Sequence, residues 1–269
     1  MARSTPAIAL RGFSAGYGER VVLRSISCAI PRDCTTAVVG PGGSGKSTLL
    51  RAIHLPSQRL REDDCSAIAR RRAVQRDVHA FVAEETAVRA QEIWQSGGLW
   101  RTSGQMSYLP QKPLPESQSL ASLLGHRRPG TSVGFRDARR YLYRFWRVAI
   151  PAAEALDAAF DTPLCRLPQT LRRLAEFTVA ASSPAPLLLV DEPDRGAGER
   201  ESGWIAAKLC ALGGQRTIVV ITHNLGLARQ VSDTMIFLLD GLIVEAGDTA
   251  LMFARPRHPR TRALITYGS

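Results

Sequence analysis

The sequence predicts an α/β fold, a mostly parallel sheet flanked by helices. An antiparallel β subdomain is expected towards the N-terminus, and an α-helical subdomain inserted ahead of the later strands. Three observations predict this. Apolar runs short enough for buried strands, Thr35–Val39, Leu187–Val190 and Thr217–Ile221, alternate with stretches of helical period, as in sheets covered on both faces. The first third is instead a series of half-apolar runs punctuated by turn residues, the pattern of antiparallel strands. Finally, Thr35–Val39 runs straight into a glycine cluster that opens a helix, and open α/β sheets meet their ligands at such junctions.

Composition bounds the alternatives. At 269 residues the chain is one large domain or two joined ones, and 45% hydrophobic with 22% charged residues excludes a disordered or collagen-like protein. No apolar run nears the length needed to cross a membrane. The short apolar stretch after Pro6 is broken by Arg11, too soon for the core of a signal peptide. Cys28, Cys34, Cys65, Cys165 and Cys210 are odd in number, dispersed, and include no Cys-x-x-Cys pair. That fits neither a disulfide framework nor a zinc site. The chain reads as cytosolic.

The elements follow in order. Ala7–Phe13 and Val21–Ile30 read as strands separated by the turn-rich Ser14–Gly18. Thr35–Val39 is a short buried strand, followed by a helix from Gly45 to about His54 that Pro56 stops. Residues 56–90 are an Arg- and Ala-rich insert, of which Pro56–Glu85 reads as helical. Glu92–Trp94 and Met106–Leu109 read as strands. In Phe135–Arg147 the helical period puts Phe135, Ala138, Leu142 and Phe145 on one side and Arg136, Arg140, Arg144 and Arg147 on another. Leu171–Ser182 is a second helix. Strand Leu187–Val190, a helix around Trp204–Leu212 and strand Thr217–Ile221 come next. A hairpin closes the series, Met235–Leu239 and Leu242–Glu245 around Asp240-Gly241.

The net charge of +11 arises from 35 Lys plus Arg against 24 acids, and only Lys46, Lys112 and Lys208 are lysines. His126–Ile150 has seven Arg and one acid, Leu251–Ser269 four Arg and none, whereas the 56–90 insert balances seven Arg with six acids. A localised basic surface suits a membrane-proximal face or an acidic partner. A solvated basic face with no partner accounts for it as well.

The chemistry is concentrated in Gly40-Pro41-Gly42-Gly43-Ser44-Gly45-Lys46-Ser47-Thr48, a complete G-x-x-x-x-G-K-[ST] loop between an expected strand and an expected helix. Without Cβ atoms, consecutive N–H groups can turn onto a phosphate, and the helix N-terminus adds its positive end. Lys46 supplies a mobile cation for the β- and γ-phosphates of a nucleotide, and the Ser47 hydroxyl can ligate Mg²⁺. Chance placement of a glycine turn does not explain why one of three lysines stands here. Downstream, Leu187–Val190 delivers Asp191 and Glu192 at its C-terminal end. Asp191 can hold the Mg²⁺ shell and Glu192 can polarise the attacking water. The core is thus a P-loop NTPase.

With these residues in place the chain resembles the ATP-binding cassette (ABC) ATPases. Tyr17, 23 residues before Gly40, matches the family's adenine-stacking aromatic, although a lone Tyr there would otherwise be a packing residue. Gln111, in Tyr108-Leu109-Pro110-Gln111, matches the glutamine loop, which in the family reaches the metal and senses the transport partner. His223, in Ile221-Thr222-His223-Asn224, matches the switch histidine at the γ-phosphate, where an isolated His would be structural. Within the family the chain is similar to the ATPase subunits of bacterial phosphate importers. The shared phrases are Gln111-Lys112-Pro113 with Pro115, Thr222-His223-Asn224 with Ala228–Asp233, Gly247-Asp248-Thr249, and Phe253, Pro256, Thr261, Leu264-Ile265 and Gly268.

The resemblance implies an ABC ATPase domain spanning 1–269. Its antiparallel β subdomain would lie at about 1–34 and 91–105, its nucleotide-binding core at 35–55 and 183–250, and its helical subdomain at 115–182. Residues 56–90 are an atypical insert and 251–269 a C-terminal tail. It further implies a second ABC ATPase subunit as dimer partner, integral membrane permease subunits, and a peripheral position on the inner face of the cell membrane. Phosphate import is the transport it points to. Nucleic-acid-binding ABC proteins resemble two cassettes in one chain, and this chain has room for one, so no nucleic acid is expected. A metabolic kinase with the same loop would leave Tyr17, Gln111 and His223 together unexplained.

Two segments depart from the family pattern. The Leu-Ser-Gly-Gly-Gln signature falls on Leu167-Pro168-Gln169-Thr170-Leu171, without its serine and glycines, and Pro168 has no N–H to offer. The D-loop Ser-Ala-Leu-Asp is replaced by Arg195-Gly196-Ala197-Gly198. Slow hydrolysis is therefore expected, because losing one preorganised donor costs about 10²- to 10³-fold in rate. The alternative is a hydrolysis-impaired cassette that regulates, or pairs with, an intact subunit.

Overall fold

The structure, a computed structural model, describes residues 5–55, 93–101, 105–111, 119, 121 and 159–267. The 56–90 insert, Glu92, the Phe135–Arg147 helix with its arginine stripe, Lys112-Pro113 with Pro115, and Gly268 lie outside the described residues. The chain divides into two compact units, one of Met1–Arg32, Val38–Ser103 and Asp233–Ser269, the other of Asp33–Ala37 and Gly104–Ser232.

In the first unit, strand β1 (Ile8–Tyr17) runs antiparallel to β2 (Arg20–Ile30). Strand β3 (Thr35–Val39) passes from one unit into the other. Strand β4 (Ile93–Arg101) lies on the far side of β1, so the antiparallel sheet has the order β2-β1-β4. The Ser14–Gly18 segment, expected to be a turn, corrects to strand as far as Tyr17. Register shifts between Leu10 and Gly16 absorb its turn-prone residues into the ladder, and Ala15 is buried there. β4 likewise runs well past the expected Glu92–Trp94, through Ser96-Gly97-Gly98, because β1 offers it partners from Tyr17↔Ile93 back to Ile8↔Arg101. Local sequence does not reveal a partner that far away.

Helix α1 (Lys46–His54) buries Leu49, Leu50, Ala52 and Ile53. At its C-terminal end Arg101 donates to the carbonyls of Ile53 and His54. Burial, and then the charge of Arg101, push the His54 imidazole down from 6.5 to about 4. Folded His54 therefore stays neutral where the unfolded chain takes up a proton. Its contribution is fully present above pH 6.5 and is lost as pH falls towards 4, by about 3 kcal/mol at most. Urea unfolding at pH 7 and pH 4.5 should show this loss, and His54→Gln should flatten it.

Later in the chain lie β5 (Met106–Leu109), a single 3₁₀ turn at Leu164–Arg166, α2 (Gln169–Ala181), β6 (Leu187–Asp191), α3 (Glu199–Leu212), β7 (Thr217–Ile221) and α4 (Leu225–Val231). In this second unit β5, β6 and β7 are parallel, with Leu109 opposite Val190 and Asp191 opposite Ile221. The strand order is β5-β6-β7-β3, and Ile218 N–H donates to the Cys34 carbonyl at 3.0 Å. Every residue of β6 and β7 is buried, as runs without polar alternation require. Helix α3 starts at Glu199, ahead of the expected Trp204. Glu199 and Glu201 in its first turn favour the positive end of the helix dipole.

The first unit also holds the expected hairpin, β8 (Thr234–Leu239) and β9 (Leu242–Asp248), and β8 neighbours β3. Asp240 and Gly241 both have positive φ at its turn. The C-terminal segment contains helices α5 (Thr249–Ala254) and α6 (Pro259–Tyr267). The Asp248 carboxylate caps α5 at Leu251 N–H, and Glu245 accepts from the N–H groups of Arg257 and His258. Among the described residues no helix is long and apolar enough to cross a membrane.

Candidate functional site: a glycine loop and a carboxylate cluster

β3 ends at Val39 and α1 begins at Lys46, so Gly40–Gly45 must turn strand into helix. Gly40 (φ +150) and Gly45 (φ +102) take conformations that L side chains rarely adopt, and neither has room for one. A Cβ on Gly40 would lie 2.0 Å from the Leu238 carbonyl oxygen, and one on Gly45 2.8 Å from Leu23 Cδ2. At Gly42 and Gly43 a Cβ would meet nothing within 4 Å. The loop is therefore packed at its ends and open at its crest, where its N–H groups are reachable by an anion.

Lys46 is the first residue of α1 and is buried. Its ammonium donates to the carbonyls of Gly40 and Pro41, each at 2.8 Å, with Ser44 Oγ at 3.4 Å. Gly241 N–H, from the hairpin turn, donates to the Ser44 carbonyl at 3.1 Å. Ser47 is half-buried at the second helical position. Tyr17, at the end of β1, receives Arg51 NH1 at 3.2 Å and Thr48 Oγ1 at 3.4 Å on its hydroxyl. The first unit thus brings Tyr17, Gly40, Pro41, Gly42, Gly43, Ser44, Gly45, Lys46, Ser47 and Thr48 together.

In the second unit β6 delivers Asp191 with 0% exposure. Glu192 follows in a left-handed conformation, φ +49, and its N–H donates to the Ile221 carbonyl at 2.9 Å. Gln111, just past β5, donates its Nε2 to Glu192 Oε2 at 2.9 Å. His223, just past β7, stands with Nδ1 3.9 Å from Glu192 Oε1, beyond hydrogen-bond reach, on a side chain 66% exposed. Arg195 NH1 approaches Glu192 Oε2 at 3.8 Å. Gln111 and His223, just past β5 and β7, and Arg195, in the loop after β6, therefore surround one carboxylate at the ends of three adjacent parallel strands.

The segment replacing the signature opens α2, which begins at Gln169, two residues ahead of the expected Leu171. Pro168 is the N-cap of α2 and provides no side-chain cap. Gln169 and Thr170 turn onto the segment replacing the D-loop. Gln169 Nε2 lies 3.1 Å from where a Cβ of Gly196 would be, and Thr170 Oγ1 donates to the Gly196 carbonyl at 3.4 Å. The two departures from the family pattern are thus in contact with each other.

The sequence reading gave no role to some supporting residues. Thr222 Oγ1 donates to Asp194 Oδ1 at 3.2 Å and accepts from Asn224 N–H at 3.0 Å, while Asn224 caps α4 at Leu227 N–H. The signal available was Thr-x-Asn ahead of a helix, a side-chain turn and cap. Arg173 is the other, in a stretch of α2 that also buries Leu174, Ala175 and Phe177. In Leu171-Arg172-Arg173-Leu174-Ala175-Glu176-Phe177 nothing in the local pattern sets Arg173 apart from its neighbour Arg172.

The sequence profile of the ABC transporter family matches residues 23–195. The chain is 29% identical over 264 residues to the phosphate import ATP-binding protein PstB of Shewanella denitrificans, covering 97% of this chain and 90% of that protein. Among solved structures, an ATP binding subunit of an ABC transporter is similar with a TM-score of 0.63 at 17% identity, over 97% of this chain and 99% of that one. A bacterial Atm1-family ABC exporter with ATP bound gives a TM-score of 0.68 at 19% identity. The match covers 98% of this chain but 42% of the exporter's. Both likenesses speak to the fold, an α/β P-loop NTPase core with an antiparallel β subdomain. The profile match covers more than half of the chain, the glycine loop and the Asp191-Glu192 pair included, and the chain belongs to the ABC transporter family as an ABC-type ATPase.

Proposed function

We propose that the chain binds Mg-ATP and couples its hydrolysis to solute import through separate membrane permease subunits, with phosphate as the solute and a second ABC ATPase subunit as partner. The observation that supports it most is the glycine loop: packed at Gly40 and Gly45, open at Gly42 and Gly43, with Lys46 anchored beneath. Crest N–H groups grip the β-phosphate, Lys46 turns its ammonium to the β- and γ-phosphates, and Tyr17 stacks on the adenine. Ser47, Gln111 and Asp191 offer the hard oxygen donors that suit Mg²⁺, which when bound neutralises phosphate charge. Glu192 takes a proton from water as its oxygen bonds to the γ-phosphorus. The bridging P–O bond breaks with its electrons going to ADP, and inorganic phosphate is released. His223 and Gln111 orient groups around that carboxylate. Permease association places the protein peripherally on the inner membrane face, and phosphate import rests on the PstB relative.

A second reading, a hydrolysis-impaired cassette pairing with an intact one, is favoured by Pro168 at the α2 N-cap and by the packing of Gln169 and Thr170 on Gly196. One experiment tests both. Single-turnover hydrolysis at saturating Mg-ATP should be slow in the natural chain and rise by about 100-fold in a triple variant, Pro168→Ser with Gln169→Gly and Thr170→Gly. Fast turnover in the natural chain would remove the second reading. Absence of ATP binding in either protein would remove the first. Phosphate uptake in cells carrying the chain with its co-purified permease tests the solute.

A further inference from the structure

Arg173 lies two residues past the Leu167–Leu171 segment, in the second turn of α2, and is 7% exposed. A guanidinium out of water has to be paired and hydrogen-bonded. Its partners here are mostly the backbones of two loops. NH1 donates to the Pro110 carbonyl at 2.9 Å and to Glu176 Oε2 at 3.1 Å. NH2 donates to the carbonyl of Asp191 and, at 2.9 Å, to that of Glu192. Glu176, itself 2% exposed, supplies the opposing charge and also meets Arg172 Nε at 3.4 Å. One planar fork therefore spans the ends of the neighbouring strands β5 and β6.

The backbone it holds is informative. Pro110 precedes Gln111, and Glu192 is the residue whose carboxylate receives the Gln111 amide at 2.9 Å. Glu192 also sits at φ +49, a conformation that a residue with a long side chain keeps only where its surroundings enforce it. Its N–H is held by Ile221 and its carbonyl by Arg173. Both ends of the Gln111–Glu192 hydrogen bond are thus tied to one guanidinium.

We propose that Arg173 is a positioning residue: it sets where the Glu192 carboxylate and the Gln111 amide stand, without touching nucleotide. Its effect on turnover rests on the ATPase reading above; its effect on the Gln111–Glu192 pair does not. Lysine would keep the charge facing Glu176, but a single ammonium on a flexible stem cannot reproduce a fork that bonds three carbonyls.

The test uses Arg173→Lys and, so that no buried charge is left alone, the double variant Arg173→Gln with Glu176→Gln. Cooperative thermal unfolding identifies the folded variants. In them, kcat should fall by about 100-fold, as expected for a misplaced catalytic group. The ATP dissociation constant should stay within about threefold, the pattern of an interaction that matters only in the transition state. Independently of nucleotide, hydrogen exchange of the Gln111 side-chain amide, assigned by its loss in Gln111→Glu, should speed up by about tenfold as its hydrogen bond to Glu192 loosens. Unchanged Gln111 exchange in folded Arg173→Lys would overturn the proposal, as would kcat and affinity falling together. If the natural chain turned over no ATP, the hydrolysis reading would fail by itself, and the exchange measurement would still decide the role of Arg173.

Discussion

Replacing Lys46 with alanine should weaken ATP binding by about 100-fold, roughly the loss of 3 kcal/mol that a charge-assisted contact to phosphate supplies. The ammonium bonds the carbonyls of Gly40 and Pro41 at 2.8 Å and approaches Ser44 Oγ at 3.4 Å. It therefore has two tasks, bracing the loop from within and meeting the phosphates. Alanine removes both without introducing a clash, and α1 keeps its buried face of Leu49, Leu50 and Ile53, so circular dichroism and cooperative unfolding should persist. Arginine should rescue poorly, since a planar fork does not fit the buried site of a point charge. Isothermal titration with ATP measures the effect directly. Affinity unchanged in a folded Lys46→Ala protein would remove the nucleotide site from this loop.

The second large effect is expected at Glu192. Glu192→Gln should reduce single-turnover hydrolysis by about 10²- to 10⁴-fold, the usual contribution of a positioned general base, and leave ATP affinity close to that of the natural chain. The substitution is a conservative probe. A glutamine keeps an oxygen able to accept from Gln111 Nε2, now at 2.9 Å from Oε2, and leaves the backbone bonds to Ile221 and Arg173 in place. What it removes is the ability to take up a proton. Nucleotide-bound protein accumulating without turnover is the expected signature in a filter-binding assay with radiolabelled ATP. Retained hydrolysis would move the base to another residue.

The local setting of these two positions was legible from sequence because each depends on contiguous residues. A strand leading to glycines and a lysine, and a strand leading to two carboxylates, are local patterns whose geometry follows from backbone rules. The boundaries of β3, β5 and β7 were legible for the same reason. Residues 14–17 and β4 were misjudged because their state depends on β1 and its neighbours pairing across the chain, which overrides turn propensity.

The sequence by itself determined that this protein carries a complete G-x-x-x-x-G-K-[ST] loop and a strand-borne carboxylate pair, and that two segments lack the residues its family usually has there. Only the tertiary structure decided that those two segments touch, through Gln169, Thr170 and Gly196. It also decided that Glu192 is held in a left-handed conformation and that a buried Arg173 ties it to the loop bearing Gln111. The physical reason is separation along the chain. A guanidinium that reaches a carbonyl 63 residues away leaves no mark on local pattern, and its acceptors are backbone atoms that every residue possesses.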